Sequence, residues 1–254
     1  MSKVAKADIF EYVVRLGDNA LILGQRLGAW CGHAPALEED IATTNTALDL
    51  IGQAQLWLAY AAELEGKKRS ADDLAFLREE RTFKNCLLVE QPNGDFGQTL
   101  MRQFLFDTWH YFFMDALKSS KEERIANIAE KAVKEVTYHL ERSTDLVIRL
   151  GDGTEESHDI MQRALTKLWG YSGELTTADE LDTRMQAAAI GPDMNSIKER
   201  TMAYYQDVFQ KAFLITPENT YMHTGGKRGL HSENLGPLLA EMQYLQRAYP
   251  GAKW

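Results

Sequence analysis

The sequence predicts an all-α protein, built on a four-helix bundle with additional helices packed around it. Apolar residues recur at helical spacing over long segments, and alternating strand patterns bounded by turns are missing. No sequence period of about 20–50 residues repeats, which argues against a solenoid. Because no low-complexity linker divides the chain, we expect residues 1–254 to form a single domain.

Two long helices open the chain. Apolar residues at alternating steps of four and three predict the first, and they are Ile9, Val13, Leu16, Ala20, Leu23, Leu27 and Trp30. The segment CGHAP at 31–35 ends this helix. A second stripe at the same spacing ends at Gly66 and consists of Leu37, Ile41, Thr44, Leu48, Ile51, Gln55, Leu58 and Ala62. We expect both stripes to face the core.

The later helices follow two breaks. A charged segment with at most a turn or two of helix leads to EQPNGDFG, where Pro92 and Gly94 mark a turn. A third stripe then comprises Leu100, Phe104, Asp107, Tyr111 and Met114, and a fourth helix covers about 121–150. Shorter helical patterns cover about 156–175, 178–190, 195–212 and 232–248.

Composition limits the kinds of partner and the compartment. The net charge of −9 and the pI near 5.2 argue against nucleic acid or an anionic membrane as the main partner, although local basic clusters leave a phosphorylated small molecule open. Cys31 and Cys86 lie far apart without metal-type spacing, and we expect both thiols to be reduced. With no targeting signal and no apolar stretch of membrane-spanning length, the expected location is cytoplasmic.

The stretch VKEVTYHLE at 133–141 resembles a metal-binding helix with altered spacing. Bundles that hold two metal ions take one Glu from each of two helices and a Glu-x-x-His pair from each of the other two. Here Glu135 and His139 are four residues apart, and the second helix offers Asp49-x-x-Gly52, in which glycine has no ligand atom. Asp107 is one methylene shorter than Glu. We therefore interpret Asp49, Gly52, Asp107, Glu135 and His139 as vestigial positions, and expect no metal and no catalytic residue in this chain.

Two local alternatives stay open at this stage. His110 lies three residues after Asp107, so it is either a ligand or, as we favour, an ordinary buried histidine. Glu135 and His139 are expected to form a buried carboxylate–imidazole pair, with Arg142 on the same stripe as a further partner.

The segment Arg81–Asn85 combines basic and amide donors with an aromatic ring. Such a group of side chains could contact the phosphates and adenine of a coenzyme A ester. The alternative is a solvated connector that forms ion pairs with the neighbouring Glu79 and Glu80.

Longer stretches carry a family resemblance. They are RLGDNALILGQRLGAWCGHAPALEED, LDLIGQAQ, AAELEG, LLVEQPNGDFGQTLMRQ, KEVTYHL and TGGKRGLHSENLGPLLAEMQYLQRAYPG. Together they extend from residue 15 to the C-terminal region, and the chain resembles the C subunits of bacterial ring-1,2-phenylacetyl-CoA epoxidases. The resemblance implies a ferritin-like fold.

The resemblance also implies partners. The chain would be a non-catalytic subunit that forms a heterodimer with a di-iron A subunit and assembles further. A B subunit and a reductase with flavin and iron–sulfur groups would complete the complex. Contacts with phenylacetyl-CoA are expected at Thr82, Phe83, Lys84 and Asn85, and secondarily at Thr183, Arg184 and Met185. The alternative is a di-iron oxygenase, or an iron-binding ferritin-like protein, with its own metal site.

Overall fold

The computed structural model describes residues 4–252, and every regular element among them is helical. The ten α-helices are α1 Lys6–Gly28, α2 Leu37–Glu65, α3 Ala71–Phe76, α4 Phe96–Leu117, α5 Glu123–Gly151, α6 Glu155–Thr176, α7 Glu180–Ala187, α8 Met194–Lys211, α9 Leu235–Met242 and α10 Tyr244–Ala248. Short 3-10 turns lie at Glu80–Thr82 and Gly226–Arg228. The all-α prediction is confirmed, and the helices agree with the ferritin-like class.

The chain divides into two compact units. One contains Val4–Pro92 together with the segment that begins at Gly225, and the other contains Asn93–Thr224. We call them the terminal unit and the central unit. That residues 1–254 form a single domain stays a prediction.

Helices α1 and α2 form the antiparallel pair at the centre of the terminal unit. A Cβ atom on Gly17 would lie 2.8 Å from Leu58 Cδ2, and one on Gly24 would lie 3.4 Å from Leu50 Cβ. The absence of a side chain at Gly17 therefore allows α2 to approach α1 closely at this position. The predicted α1 stripe is buried from Ile9 to Leu27, as expected.

The prediction that the apolar stripe of α2 faces the core is wrong from Leu37 to Ile51. Leu37, Ile41, Leu48 and Ile51 are exposed, and only Leu58 near the end of the stripe is buried. The side of α2 that is buried instead comprises Thr43, Thr46, Ala47, Leu50, Gln53, Ala54, Trp57, Leu58, Tyr60 and Ala61. Both sides of the helix contain apolar residues at helical spacing, so the periodicity alone could not identify the buried one.

Helix α4 is the buried helix of the central unit. The Asp95 carboxylate caps it by accepting a hydrogen bond from Gln98 N at 2.8 Å, and every residue from Gly97 to His110 is buried. After a connector at 118–122, α5 returns along α4, and α6 and α8 also pack against α4. The polar side chains of α4 within this range are therefore shielded from water.

Among residues 4–252, no helix combines the length and the apolar composition that crossing a bilayer requires.

Candidate functional site

Asp107 is a fully buried carboxylic acid in the central unit. Gln103, one turn earlier on α4, donates a hydrogen bond from its Nε2 to Asp107 Oδ1 at 2.6 Å. Burial raises the pKa of Asp107 from 3.8 to about 6, although the charge of His139 and hydrogen bonds from Ser143 and Gln103 favour the ionised form. A metal ligand must give up its proton, so this environment makes Asp107 a poorer ligand than a solvated carboxylate.

His110 lies one turn further along α4 and is also buried. Its ring stands 4.8 Å from that of Phe106 and stacks on Trp109, and its Nδ1 has no hydrogen-bond partner among the described residues. Burial, together with the charge of His139, lowers the pKa of His110 to about 3. His110 is therefore a neutral imidazole packed among aromatic rings, which agrees with its interpretation as a buried histidine.

The other positions predicted to be vestigial are divided between the two units. On α5, His139 is buried and Glu135 is half-buried, and His139 lies close enough to influence the pKa of Asp107. Asp49 and Gly52 lie on α2 in the terminal unit, where a Cβ on Gly52 would meet no atom within 4 Å. Pairing of Glu135 with His139 stays a prediction.

These residues do not fit a di-iron site. Glycine at position 52 supplies no donor atom, and the part of the chain at 4–252 contains no group of three or more His, Cys, Asp or Glu side chains arranged to hold a metal ion. Asp107 Oδ1 accepts its hydrogen bond from an amide.

The coenzyme A candidate segment in the terminal unit is anchored by a buried ion pair. Arg78 Nη1 donates to Asp18 Oδ2 at 3.0 Å, and Lys84 N donates to the same oxygen at 2.8 Å. The guanidinium of Arg78 also lies 4.1 Å from the centre of the Phe83 ring. The conformation of residues 82–84 thus depends on a carboxylate from α1 that sequence spacing did not reveal.

The four predicted contact residues of this segment point in different directions. Phe83 and Asn85 are fully buried, and Asn85 Nδ2 donates to Glu90 Oε2 at 3.1 Å and to Cys86 O at 3.2 Å. Thr82 is exposed, and Lys84 is partly exposed. A bound coenzyme A can reach the side chains of Thr82 and Lys84, whereas Phe83 and Asn85 hold the segment from inside. The contact itself stays a prediction.

Sequence reasoning missed a buried acid–base pair in the terminal unit. The Glu90 carboxylate receives Ser232 N at 2.6 Å on Oε1 and contacts His231 Nδ1 at 2.9 Å through Oε2, while His231 Nε2 lies 3.0 Å from Phe83 O. Burial opposes a charge on His231, but the hydrogen bond and charge of Glu90, together with the Phe83 carbonyl and the charge of Glu80, outweigh burial and raise the pKa of His231. Glu90 thereby ties the C-terminal segment to the coenzyme A candidate segment. A glutamate and a histidine 141 residues apart give no signal in a sequence window.

The secondary candidates lie on α7 in the central unit. Thr183 and Arg184 are exposed, while Met185 is fully buried and has no access to a ligand at the surface. Arg184 Nη1 lies 3.9 Å from Glu180 Oε2, and Thr183 donates its hydroxyl to Asp179 O at 2.9 Å. That these residues contact coenzyme A stays a prediction.

Comparison with known proteins extends over the whole chain. The family model described as Phenylacetic acid catabolic protein matches residues 1–254. The chain is 49% identical over 243 residues to the C subunit of the 1,2-phenylacetyl-CoA epoxidase of Escherichia coli (strain K12). That match covers 96% of this chain and 98% of the relative.

Proposed function

Because the chain belongs to the phenylacetic acid catabolic protein family, we propose that it is the non-catalytic C subunit of a phenylacetyl-CoA 1,2-epoxidase. In this role it supports a di-iron A subunit in the cytoplasm, within a complex that a B subunit and a reductase complete. The likeness to the E. coli relative along almost the whole of both chains is the observation that carries the proposal. The available ligand atoms also support the proposal. Gly52 has no side-chain donor atom, and Asp107 already accepts a hydrogen bond from the Gln103 amide, so these residues make a poor iron site.

Iron content and turnover together test this function. The chain is purified alone, loaded with ferrous iron under anaerobic conditions, desalted, and then mixed with the A subunit. We expect much less than one iron per chain in the protein alone, and phenylacetyl-CoA epoxidation only after the A subunit, the B subunit and the reductase are added. Stoichiometric iron in the isolated chain, lost in His139→Ala or Asp107→Asn, would instead favour the iron-binding alternative.

A variant of α5 separates support from catalysis. Glu135→Ala removes a half-buried carboxylate beside the interior, so we expect mainly a lower stability and near-normal turnover in the assembled complex. Thermal denaturation and steady-state kinetics on the same preparation distinguish the two effects. If turnover is abolished while folding and assembly are unchanged, Glu135 has a catalytic role.

Contact with the coenzyme A part of the substrate is a second component of the proposal. Lys84 supplies the charge, Thr82 a hydroxyl, and Phe83 and Asn85 the rigid support beneath them, while Thr183 and Arg184 offer a second exposed pair with Met185 buried below. In the reconstituted complex, Lys84→Ala should raise the KM for phenylacetyl-CoA by about 10- to 100-fold, because a charge-assisted contact with phosphate is worth about 1.5–3 kcal/mol. Lys134→Ala, an exposed lysine on α5, is the matched control. Equal KM values for the two variants would show that Lys84 does not contact the substrate.

A further inference from the structure

Residues 229–232 of the terminal unit pack directly on the backbone of residues 81–83. Gly229 has a φ of 81°, in the left-handed region that favours glycine, and a Cβ atom there would overlap Arg81 O. Two residues later, His231 Nε2 lies 3.0 Å from Phe83 O, which is 148 residues away in the chain. The two segments therefore meet along a close contact that includes the coenzyme A candidate segment.

Both ring nitrogens of His231 face oxygen atoms. Nδ1 lies 2.9 Å from Glu90 Oε2, Nε2 faces Phe83 O, and only 1% of the His231 side chain is exposed. A carbonyl oxygen can only accept a hydrogen bond, so the contact with Phe83 O requires a proton on Nε2. A neutral imidazole has a single N–H, and a second donor at Nδ1 would require the imidazolium form.

The surroundings of Glu90 decide where the second proton lies. Ser232 N donates to Oε1 at 2.6 Å, and Asn85 Nδ2 donates to Oε2 at 3.1 Å, so donors already point at both oxygens. Arg26 adds a positive charge nearby, and its Nη2 donates to Glu90 O at 2.6 Å. These groups all favour an ionised carboxylate, which can only accept. The proton between Glu90 and His231 therefore belongs to Nδ1 of the histidine.

The charges around His231 set the direction of its pH dependence. Burial lowers the pKa of His231, but the hydrogen bond and charge of Glu90, the Phe83 carbonyl and the charge of Glu80 outweigh burial and raise it. The nearby cation, Arg26, interacts with Glu241 as well as with Glu90. An unfolded histidine has a pKa of about 6.5. The stabilisation from the charged ring is therefore complete below that pH and is lost as the pH rises through the raised value.

We propose that His231 is a positioning residue whose imidazolium, paired with Glu90, closes the C-terminal segment over residues 83–85. Through Phe83 O it fixes the backbone between Thr82 and Lys84, whose side chains are the accessible ones of the candidate segment. Loss of one ring proton at alkaline pH removes one of the two hydrogen bonds, and the segment then opens more readily. The substrate contact rests on the proposed function, whereas the charged closure does not.

Nitrogen NMR of the chain labelled with 15N-histidine measures the protonation state directly. The signals of His231 are assigned by their loss in His231→Gln. We expect both ring nitrogens to be protonated at pH 7 and one of them to lose its proton only at alkaline pH. A ring with a single protonated nitrogen at pH 7 would overturn the inference, and this measurement does not depend on the folding of any variant.

Hydrogen exchange measures the closure. The amides of Leu230 and Ser232 are hydrogen-bonded to Gly225 O and to Glu90 Oε1, so their protection factors report on opening of the C-terminal segment. His231→Gln keeps an amide donor and removes the charge, and we expect these protection factors to fall at least tenfold at pH 7. The difference from the unchanged chain should shrink at alkaline pH, while the amides of α4 keep their protection.

Glu233→Gln is the matched control for hydrogen exchange. It changes the charge of the same segment at an exposed position and should leave the protection factors within twofold. Equal protection in Glu233→Gln and His231→Gln would show that the charge of His231 does not hold the segment closed.

Steady-state kinetics of the reconstituted complex separate positioning from general stability. At pH 7, His231→Gln should raise the KM for phenylacetyl-CoA several-fold with a smaller change in kcat, and Glu233→Gln should change neither. If the segment opens in His231→Gln while KM stays the same, the closure does not position a substrate contact and the inference fails. If the unchanged chain supports no turnover with the A subunit, the B subunit and the reductase, the proposed function itself fails.

Discussion

Helices α2 and α5 have the same length, 29 residues, yet they expose opposite kinds of surface. The exposed residues of α5 are mostly charged and are Glu123, Arg124, Asn127, Glu130, Lys131, Lys134, Tyr138, Glu141, Asp145 and Arg149. Those of α2 include four large apolar side chains and only two charged ones, Glu38 and Glu63. Helix α5 is an ordinary amphipathic surface helix, whereas α2 carries a second apolar side that its own unit leaves uncovered.

The two helices also differ in their buried polar residues. The buried side of α5 carries His139, near the Asp107 carboxylate of α4, whereas the buried side of α2 carries hydroxyl and amide groups such as Thr46 and Gln53. The pair α4 and α5 therefore buries a carboxyl and an imidazole group, whereas the buried residues of α2 include no Asp, Glu or His. Burial and neighbouring hydrogen bonds thus surround a titratable carboxyl between these two helices.

The largest expected change in the free energy of unfolding tests which side of α2 lies in the core. Leu50 is fully buried, and Leu48, two residues away, is 61% exposed. Leu50→Ala should lower the free energy of unfolding by about 2–5 kcal/mol, because it leaves a cavity. Leu48→Ala should change it by less than about 0.5 kcal/mol. Urea denaturation of the isolated chain measures both, and equal losses would show that the outer side of α2 is core as well.

The second effect concerns the buried acid facing α5. Because its pKa is raised from 3.8 to about 6, Asp107 makes its full contribution to stability below pH 3.8, where it is protonated in both states, and that contribution is lost as the pH rises through 6. Since one pKa unit corresponds to about 1.4 kcal/mol, Asp107→Asn should stabilise the chain by up to about 3 kcal/mol above pH 6. Asparagine can still accept the hydrogen bond from Gln103.

Denaturation curves between pH 4 and 8 measure this gain. Asp145→Asn, which removes an exposed carboxylate of α5, is the matched control and should follow the pH dependence of the unchanged chain. If the stability of Asp107→Asn and of the unchanged chain vary in parallel across this range, Asp107 ionises as in water and its surroundings differ from those described.

A smaller gain in stability is expected from a substitution on the outer side of α2. Glycine in a helix interior costs about 0.5–1 kcal/mol relative to alanine, and a Cβ at Gly52 would meet no atom within 4 Å. Gly52→Ala should therefore raise the free energy of unfolding by that amount. Gly24→Ala, where the Cβ would lie 3.3 Å from Ala47 O, should give no such gain. Thermal melts compare the two, and a loss of stability in Gly52→Ala would mean that this face is covered within the chain.

The weakest effect is expected on the outer side of α5. Asp145 Oδ2 and Arg149 Nη1 form an exposed i,i+4 ion pair at 3.3 Å. Its coupling energy in a double-mutant cycle of Asp145→Ala and Arg149→Ala should be about 0.3–0.5 kcal/mol and should vanish at high salt. A coupling above about 1 kcal/mol would indicate that α5, too, is partly covered.

Local patterns located the helices well. The fourth helix, predicted at about 121–150, is observed at Glu123–Gly151, and the pattern at 156–175 corresponds to Glu155–Thr176. The last pattern, at about 232–248, was placed correctly but is two short helices, Leu235–Met242 and Tyr244–Ala248. Periodicity and capping residues act within a few turns, so the sequence contains most of this information.

The candidate site could be predicted only in part. The absence of a ligand atom at Gly52 follows from residue identity alone. The inward orientation of Phe83 and Asn85 and the contacts of Glu90 with His231 and Ser232 depend on segments far apart in the chain. Residue spacing carries no information about such contacts, and pKa values follow from the burial that they produce.

The sequence alone established the helical class, the approximate helix bounds and the absence of a side-chain donor atom at position 52. The three-dimensional packing was needed to show which apolar side of α2 lies against α1, and that Asp107 is buried deeply enough to raise its pKa to about 6. The reason is that a helix forms from interactions within a few residues, whereas burial depends on which distant segments pack against it.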